Sequence, residues 1–351
     1  MDMQTTVAEA SRHFAPRPGY LAACTLGLPT HETIAAQQAD LRAWQLGDVS
    51  PVAYGEVVEE ARAAFARIAR VDVGRVAIGS QTSSQVAVVA ASVPDGAEVL
   101  CVTGDFSSVV FPFLAQAHRG VRVRHVPADE LAAAVSADTW LVAWSRVQSA
   151  TGAVSDDDAI LSAARAHGAL TFCDLTQAAG VLPVDASRYD LTVTHSYKWL
   201  CSPRGAAFLT VAPEVHDRLV PVQAGWYAGD DVWESCYGPD MNLAADARAF
   251  DVSPAWPAWV GALPALRLFS SLDPADTWRH ATGLGDALCA RLDREPQGQA
   301  VVTWADPDGA DLRVLGRAGL TVSGRAGRVR VAFHLWNTAD DVDRVVAALR
   351  P

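Results

Sequence analysis

The sequence predicts an α/β protein: a large domain on a mostly parallel, helix-covered sheet, followed by a smaller C-terminal α+β domain. Three observations predict it. Short apolar runs alternate with helix-length segments through residues 76–173, the pattern of right-handed crossovers between parallel strands. Half of the 351 residues are hydrophobic and only 19% are charged, enough apolar surface to offset the entropy lost on folding. Beyond residue 300 the pattern returns to strand, helix, two strands and a helix, a unit of its own. The expected division is an N-terminal arm at 1–20, a large domain at 21–250 and a small domain at 251–351.

Residues 1–20, with Pro16, Pro18 and Gly19, read as an extended arm. Apolar residues at helical spacing with charges between them predict a surface helix over 54–70. Strands are then expected at 76–78, 99–102, 121–126, 140–144 and 170–173, with helices between them at 82–93, 108–118, 128–136 and 156–167. Two more strands read at 191–195 and 205–211. The stretch from Gly225 to Ala249, rich in Trp, Gly and Asp, has no clear period and is expected to shape a site or an interface. Helices follow at 255–272 and 276–293, then a strand at 300–304, a helix at 308–318 and strands at 320–323 and 328–333. The last helix has Thr338 as N-cap, Asp340 and Asp341 in its first turn, and Val342, Val345, Val346 and Leu349 on one face.

The charge balance is 28 − 40 = −12 with no run of five like charges, which argues against a nucleic-acid partner. The first residues lack a basic and apolar leader, and no apolar stretch is long enough to span a bilayer, so the expected location is the cytoplasm, without a membrane partner. Six scattered cysteines with no C-x-x-C pair fit neither a disulfide framework nor a thiolate metal site, so no metal is expected.

One fact of composition stands apart. Of the 28 basic residues a single one is lysine, Lys198, leaving 28 − 1 = 27 arginines. An amine that loses its proton and bonds a carbonyl cannot be replaced by a guanidinium. Lys198 directly follows a predicted strand, and Asp174 ends another. In an open parallel sheet the carboxyl ends of strands face the ligand crevice. A lysine and an acid there suit a pyridoxal phosphate site, the amine holding the cofactor and the carboxylate keeping its pyridine nitrogen protonated; a structural ion pair is the other reading. Gly79-Ser80-Gln81-Thr82-Ser83, between a strand and a helix, forms a candidate phosphate cup, though Ser and Thr also serve as ordinary N-caps. The G-x-G-x-x-G of a nicotinamide fold is absent.

The block Cys173-Asp174-Leu175-Thr176-Gln177-Ala178-Ala179-Gly180, then Ser196-Tyr197-Lys198-Trp199-Leu200 running to Pro203-Arg204-Gly205, resembles the core of the class V aminotransferases. These are fold-type I pyridoxal phosphate (PLP) enzymes that include cysteine desulfurases, kynureninases and isopenicillin N epimerase-like proteins. The likeness runs from Tyr20-Leu21 to the stretch Arg330–Thr338. It implies that Lys198 bonds the cofactor and shuttles the α-proton, that Asp174 pairs with the pyridine nitrogen, and that Gln177 bonds the phenolic oxygen. It further implies that Ser80, Gln81, Thr82, His195 and Tyr197 surround the phosphate, that Phe106 stacks on the ring, and that Arg330 clamps the substrate α-carboxylate. Ser253 would reach the phosphate from a neighbouring subunit, although the glycine the family often places there is missing. Trp226 would line the substrate pocket. The resemblance also implies a homodimer, with Ser253 and the apolar 255–272 segment at its interface.

Within that resemblance the expected reaction is transamination of a small amino acid. The alternatives are β-elimination at a carbon–sulfur bond and epimerisation, with a non-catalytic binding protein last because Lys198, Asp174 and Arg330 are all present. A desulfurase thiol is missing from Val322–Arg328, the loop before the carboxylate-binding arginine.

Overall fold

The computed structural model describes residues 5–350. Seven strands form the main sheet: β1 (Val76–Gly79), β2 (Glu98–Val102), β3 (Arg122–Val126), β4 (Thr139–Ser145), β5 (Leu170–Asp174), β6 (Leu191–His195) and β7 (Ala207–Val211). Their order is β1-β7-β6-β5-β4-β2-β3, with β7 antiparallel to both neighbours and the β6-to-β3 run wholly parallel. Five of these strands are buried along their whole length, as expected where helices cover both faces. The second sheet, β8 (Val301–Ala305), β9 (Ser323–Arg325) and β10 (Arg328–Ala332), is antiparallel in the order β8-β10-β9.

The helices are α1 (Val7–Ser11), α2 (His31–Leu46), α3 (Pro51–Ala69), α4 (Thr82–Ser92), α5 (Ser107–Leu114), α6 (Leu131–Ala134), α7 (Asp157–His167), α8 (Trp256–Ser270), α9 (Pro274–Arg291), α10 (Ala310–Arg317) and α11 (Ala339–Leu349). None is long and apolar enough to cross a membrane. Residues 225–249 hold short 3₁₀ turns and one isolated antiparallel bridge between Gly229 and Leu243, in keeping with their lack of period.

Several expectations change. The N-terminal arm is not extended throughout: Thr6 and Glu9 form a reciprocal capping box that starts α1. Helix α2 has no counterpart among the expected elements, because Ile34, Leu41 and Trp44 face out and leave no inward apolar stripe. It is bounded by the Thr30 N-cap and left-handed Gly47, and Thr33 Oγ1 donates to the Gly261 carbonyl of α8 at 2.9 Å. The 128–136 helix shrinks to the one turn of α6, and the strand expected at 320–323 begins only at Ser323. The 255–272 segment is helical, but its apolar residues Trp259, Leu263, Leu266 and Phe269 are buried within this chain, where α8 packs against α2 and α3. Those four side chains are therefore part of this chain's own core.

Candidate active site

The carboxyl ends of parallel neighbours β5 and β6 bring the two key residues to one rim. Asp174 pairs in register with Val193, and the Leu175 N–H donates to the Val193 carbonyl at 2.8 Å. Lys198 lies one turn past the end of β6. Its loop is fixed from below: the Gly27 N–H donates to the Tyr197 carbonyl at 2.9 Å, and a Cβ at Gly27 would collide with the Lys198 carbonyl. Only glycine permits that approach.

Both side chains are buried, Lys198 at 5% and Asp174 at 4% exposure. Burial pulls the Lys198 amine down to about 8, with Asp174 opposing the shift and Arg330 and Arg325 adding to it. Burial likewise pushes the Asp174 carboxyl up to about 6, against hydrogen bonding from Thr176 and the charge of Lys198. The Thr176 N–H donates to Asp174 Oδ1 at 2.8 Å. Among the described residues no ion pair joins Asp174 to Lys198. Two groups that feel each other's charge therefore stand apart at one rim, which disfavours the simple structural ion pair.

The other expected residues fall around them unevenly. Lys198 Nζ lies 5.3 Å from the Phe106 ring centroid and 5.6 Å from that of Tyr197. Gln177 is buried and already engaged: its amide donates to the Cys24 carbonyl at 2.9 Å and to Ser149 Oγ at 3.2 Å, and accepts from Trp199 Nε1 at 2.8 Å. His195 packs edge-on to Tyr197, its Nε2 is buried with no partner, and desolvation pulls its pKa down to about 3, so it is neutral. Ser80 and Gln81 are exposed and Thr82 is buried at the start of α4, whose cap makes no side-chain bond. The amides of that first turn are thereby left for another acceptor.

Arg330 on β10 is 1% exposed. Its Nη1 donates to the Ser149 carbonyl at 2.5 Å and Nη2 to Thr25 Oγ1 at 2.9 Å, while Nε has no partner. Ser253 is exposed, in a segment whose Val252 N–H reaches the Ile78 carbonyl at 3.4 Å, beside the strand end that carries Ser80. Trp226 packs on Tyr227 and Trp233 within its own segment, each centroid 5.3 Å away.

Several residues here escaped the sequence reading. Cys24 and Thr25 come from a loop with no periodic signal, and Cys24 Sγ lies 3.7 Å from Ser323 Oγ. A thiol therefore faces the hairpin that itself has none. Ser149 bridges Gln177 and Arg330, and Thr176 Oγ1 accepts from the His195 N–H at 3.0 Å. The Arg204 guanidinium sits 4.5 Å over the Tyr197 ring. Thr176 and Arg204 lie within the motif blocks of the sequence, whereas only tertiary contact marks Cys24, Thr25 and Ser149. Among the described residues no cluster of three or more His, Cys, Asp or Glu could hold a metal ion.

The sequence profile described as Aminotransferase class-V matches residues 51–310. The protein named "Uncharacterized aminotransferase YcbU" of Bacillus subtilis (strain 168) is 25% identical over 311 residues, covering 83% of this chain and 82% of its own. The isopenicillin N epimerase of Streptomyces clavuligerus is 32% identical over 183 residues, 48% of this chain and 46% of its own. In fold, the chain is similar to the cystine C-S lyase C-DES solved with its product cysteine persulfide, with a TM-score of 0.86 at 20% identity over 95% of this chain and 97% of that one.

Proposed function

Because the chain belongs to the Aminotransferase class-V family, we propose that it is a pyridoxal 5′-phosphate enzyme acting at the α-carbon of an amino acid, by transfer of the amino group. The observation that carries this reading is a buried amine of lowered pKa beside a buried carboxylate, with no ion pair between them. The residues present fit the cofactor. The partnerless His195 Nε2 and the open first turn of α4 suit a phosphate, and a pyridinium cation against Asp174 would draw its carboxyl back down.

When bound, the cofactor supplies a ring that accepts the electron pair left at the substrate's α-carbon. Lys198 tethers it and, once displaced, moves the α-proton; an amine near 8 is well placed to do both near neutral pH. Asp174 holds the proton of the ring nitrogen. Gln177, held at its carbonyl by Trp199, would turn the amide proton it now gives Ser149 to the phenolic oxygen, and Phe106 would cover the ring. Ser80, Gln81, Thr82, His195 and Tyr197 bind phosphate, with Ser253 added by a second subunit. Arg330, held at two corners by Ser149 and Thr25, takes the α-carboxylate. Trp226 is assigned to the substrate pocket with less support, since its own segment accounts for its packing.

Borohydride reduction of the purified yellow protein should fix the cofactor on a peptide containing Lys198. Product formation should depend on an acceptor keto acid. A label absent from Lys198 removes the cofactor reading. Keto acid and ammonia released without an acceptor would replace transfer with elimination, the second reading, which the thiol-free hairpin after Ser323 leaves open. Solvent deuterium incorporated with inversion and without keto acid would indicate an epimerase.

A further inference from the structure

The second sheet turns an unusual face toward this site. Residues two apart on a strand share a face, and cross-strand partners share one too. Arg330 pairs with Ser323 and Arg328 with Arg325, so Arg325, Arg328 and Arg330 all lie on one face. Arg325 and Arg328 stand directly opposite each other, a like-charge pairing that is destabilising by itself.

None of the three meets a carboxylate among the described residues. Arg328 Nη2 donates to Thr303 Oγ1 at 3.0 Å, Arg325 Nη1 to its neighbouring Gly324 carbonyl at 2.8 Å, and Arg330 to neutral oxygens. Among the described residues, ten of the 27 arginines do pair with a carboxylate, including Arg62 with Asp251, Arg119 with Asp95, Arg124 with Glu98 and Arg146 with Asp157, but this face gathers three that do not. With forty acids against twenty-eight bases, carboxylates are plentiful, yet they are kept off this face. Its nearness to the site is also electrostatic, since the charge of Arg325 is felt at Lys198, Tyr197 and Arg330.

We propose that the substrate carries a second acidic group, a carboxylate or sulfonate beyond its α-carboxylate, and that Arg325 and Arg328 receive it. The proposal rests on the reading above in assigning Arg330 to the α-carboxylate. A dianion bridging the hairpin would relieve the opposed charges, and guanidinium forks bind such groups with two parallel hydrogen bonds. The same chemistry serves an amino donor or a keto-acid acceptor.

Calorimetry on the holoenzyme tests it with glutarate against its monoamide, glutaramate. Glutarate should bind roughly tenfold tighter or more, the scale of one charge-assisted hydrogen bond. R325Q and R328Q should each reduce that ratio toward one, whereas R317Q, which removes the same charge from exposed α10, should keep it. Equal binding of the two probes overturns the proposal, as does a ratio unchanged in R325Q, whose exposed site tolerates substitution. L-Glutamate against L-glutamine, and 2-oxoglutarate against its monoamide, then assign the second acid to donor or acceptor. Glutarate binding requires no bond to Lys198. Selectivity without a borohydride label would overturn only the cofactor reading, and a label without selectivity only this one.

Discussion

At Lys198 the requirements of catalysis and of folding oppose each other. The unfolded chain keeps the amine protonated up to about 10.5, the folded chain only to about 8. Below the lower value the native state therefore bears the full cost of a desolvated ammonium, on the order of 3 kcal/mol. Between the two values the unfolded state binds more protons, so native stability rises with pH. Lys198→Met, similar in volume and apolar, should therefore melt above the cofactor-free wild type at pH 7. The gain should shrink as pH climbs from about 8 to about 10.5, read by thermal denaturation in matched buffers. A constant difference across that window would show that Lys198 is not strained by burial.

At the scale of elements, the ion pair between Arg62 of α3 and Asp251 joins a helix to the end of β1. Arg62 Nη2 donates to Asp251 Oδ2 at 2.6 Å, and the Ile78 N–H donates to Oδ1 at 2.7 Å. Both side chains are almost wholly buried, and Glu59 holds the other edge of the guanidinium, accepting from Arg62 Nε at 2.9 Å and from Nη2 at 3.0 Å. Asp251→Asn leaves Arg62 with Glu59 but removes a charge-assisted hydrogen bond, so it should cost roughly 1–3 kcal/mol in urea unfolding. It should also loosen the segment that carries Ser253 beside Ser80. Legibility in the sequence divides along the same line. Strands β4 to β6 and helix α7 were readable because burial imposes apolar runs on them, and Asp174 and Lys198 because they follow such runs. Helix α2 was not, since a helix whose apolar residues face outward carries no stripe. Cys24, Thr25, Ser149 and Arg325 were equally silent, because their relevance comes from which chain ends the two sheets bring together.

Across the whole molecule, that outward face of α2 stands out. Ile34, Leu41 and Trp44 are 42%, 55% and 62% exposed and fall within one helical face. With α8 committed to the interior, we propose that α2 meets a second copy of the chain. Trp44→Asp should weaken self-association by about 30-fold or more, the scale of an interface hot spot, in sedimentation equilibrium. A wild-type chain that sediments as a monomer at micromolar concentration would remove the proposal.

The concealment of Lys198 reaches beyond the reaction. With the chain's sole lysine shut inside and arginine everywhere else, no ε-amine is offered to the outside. Acylating reagents, sugars and isopeptide-forming ligases would find no such handle on the folded surface, so an activated ester too large for the cofactor site modifies this residue only when the molecule opens.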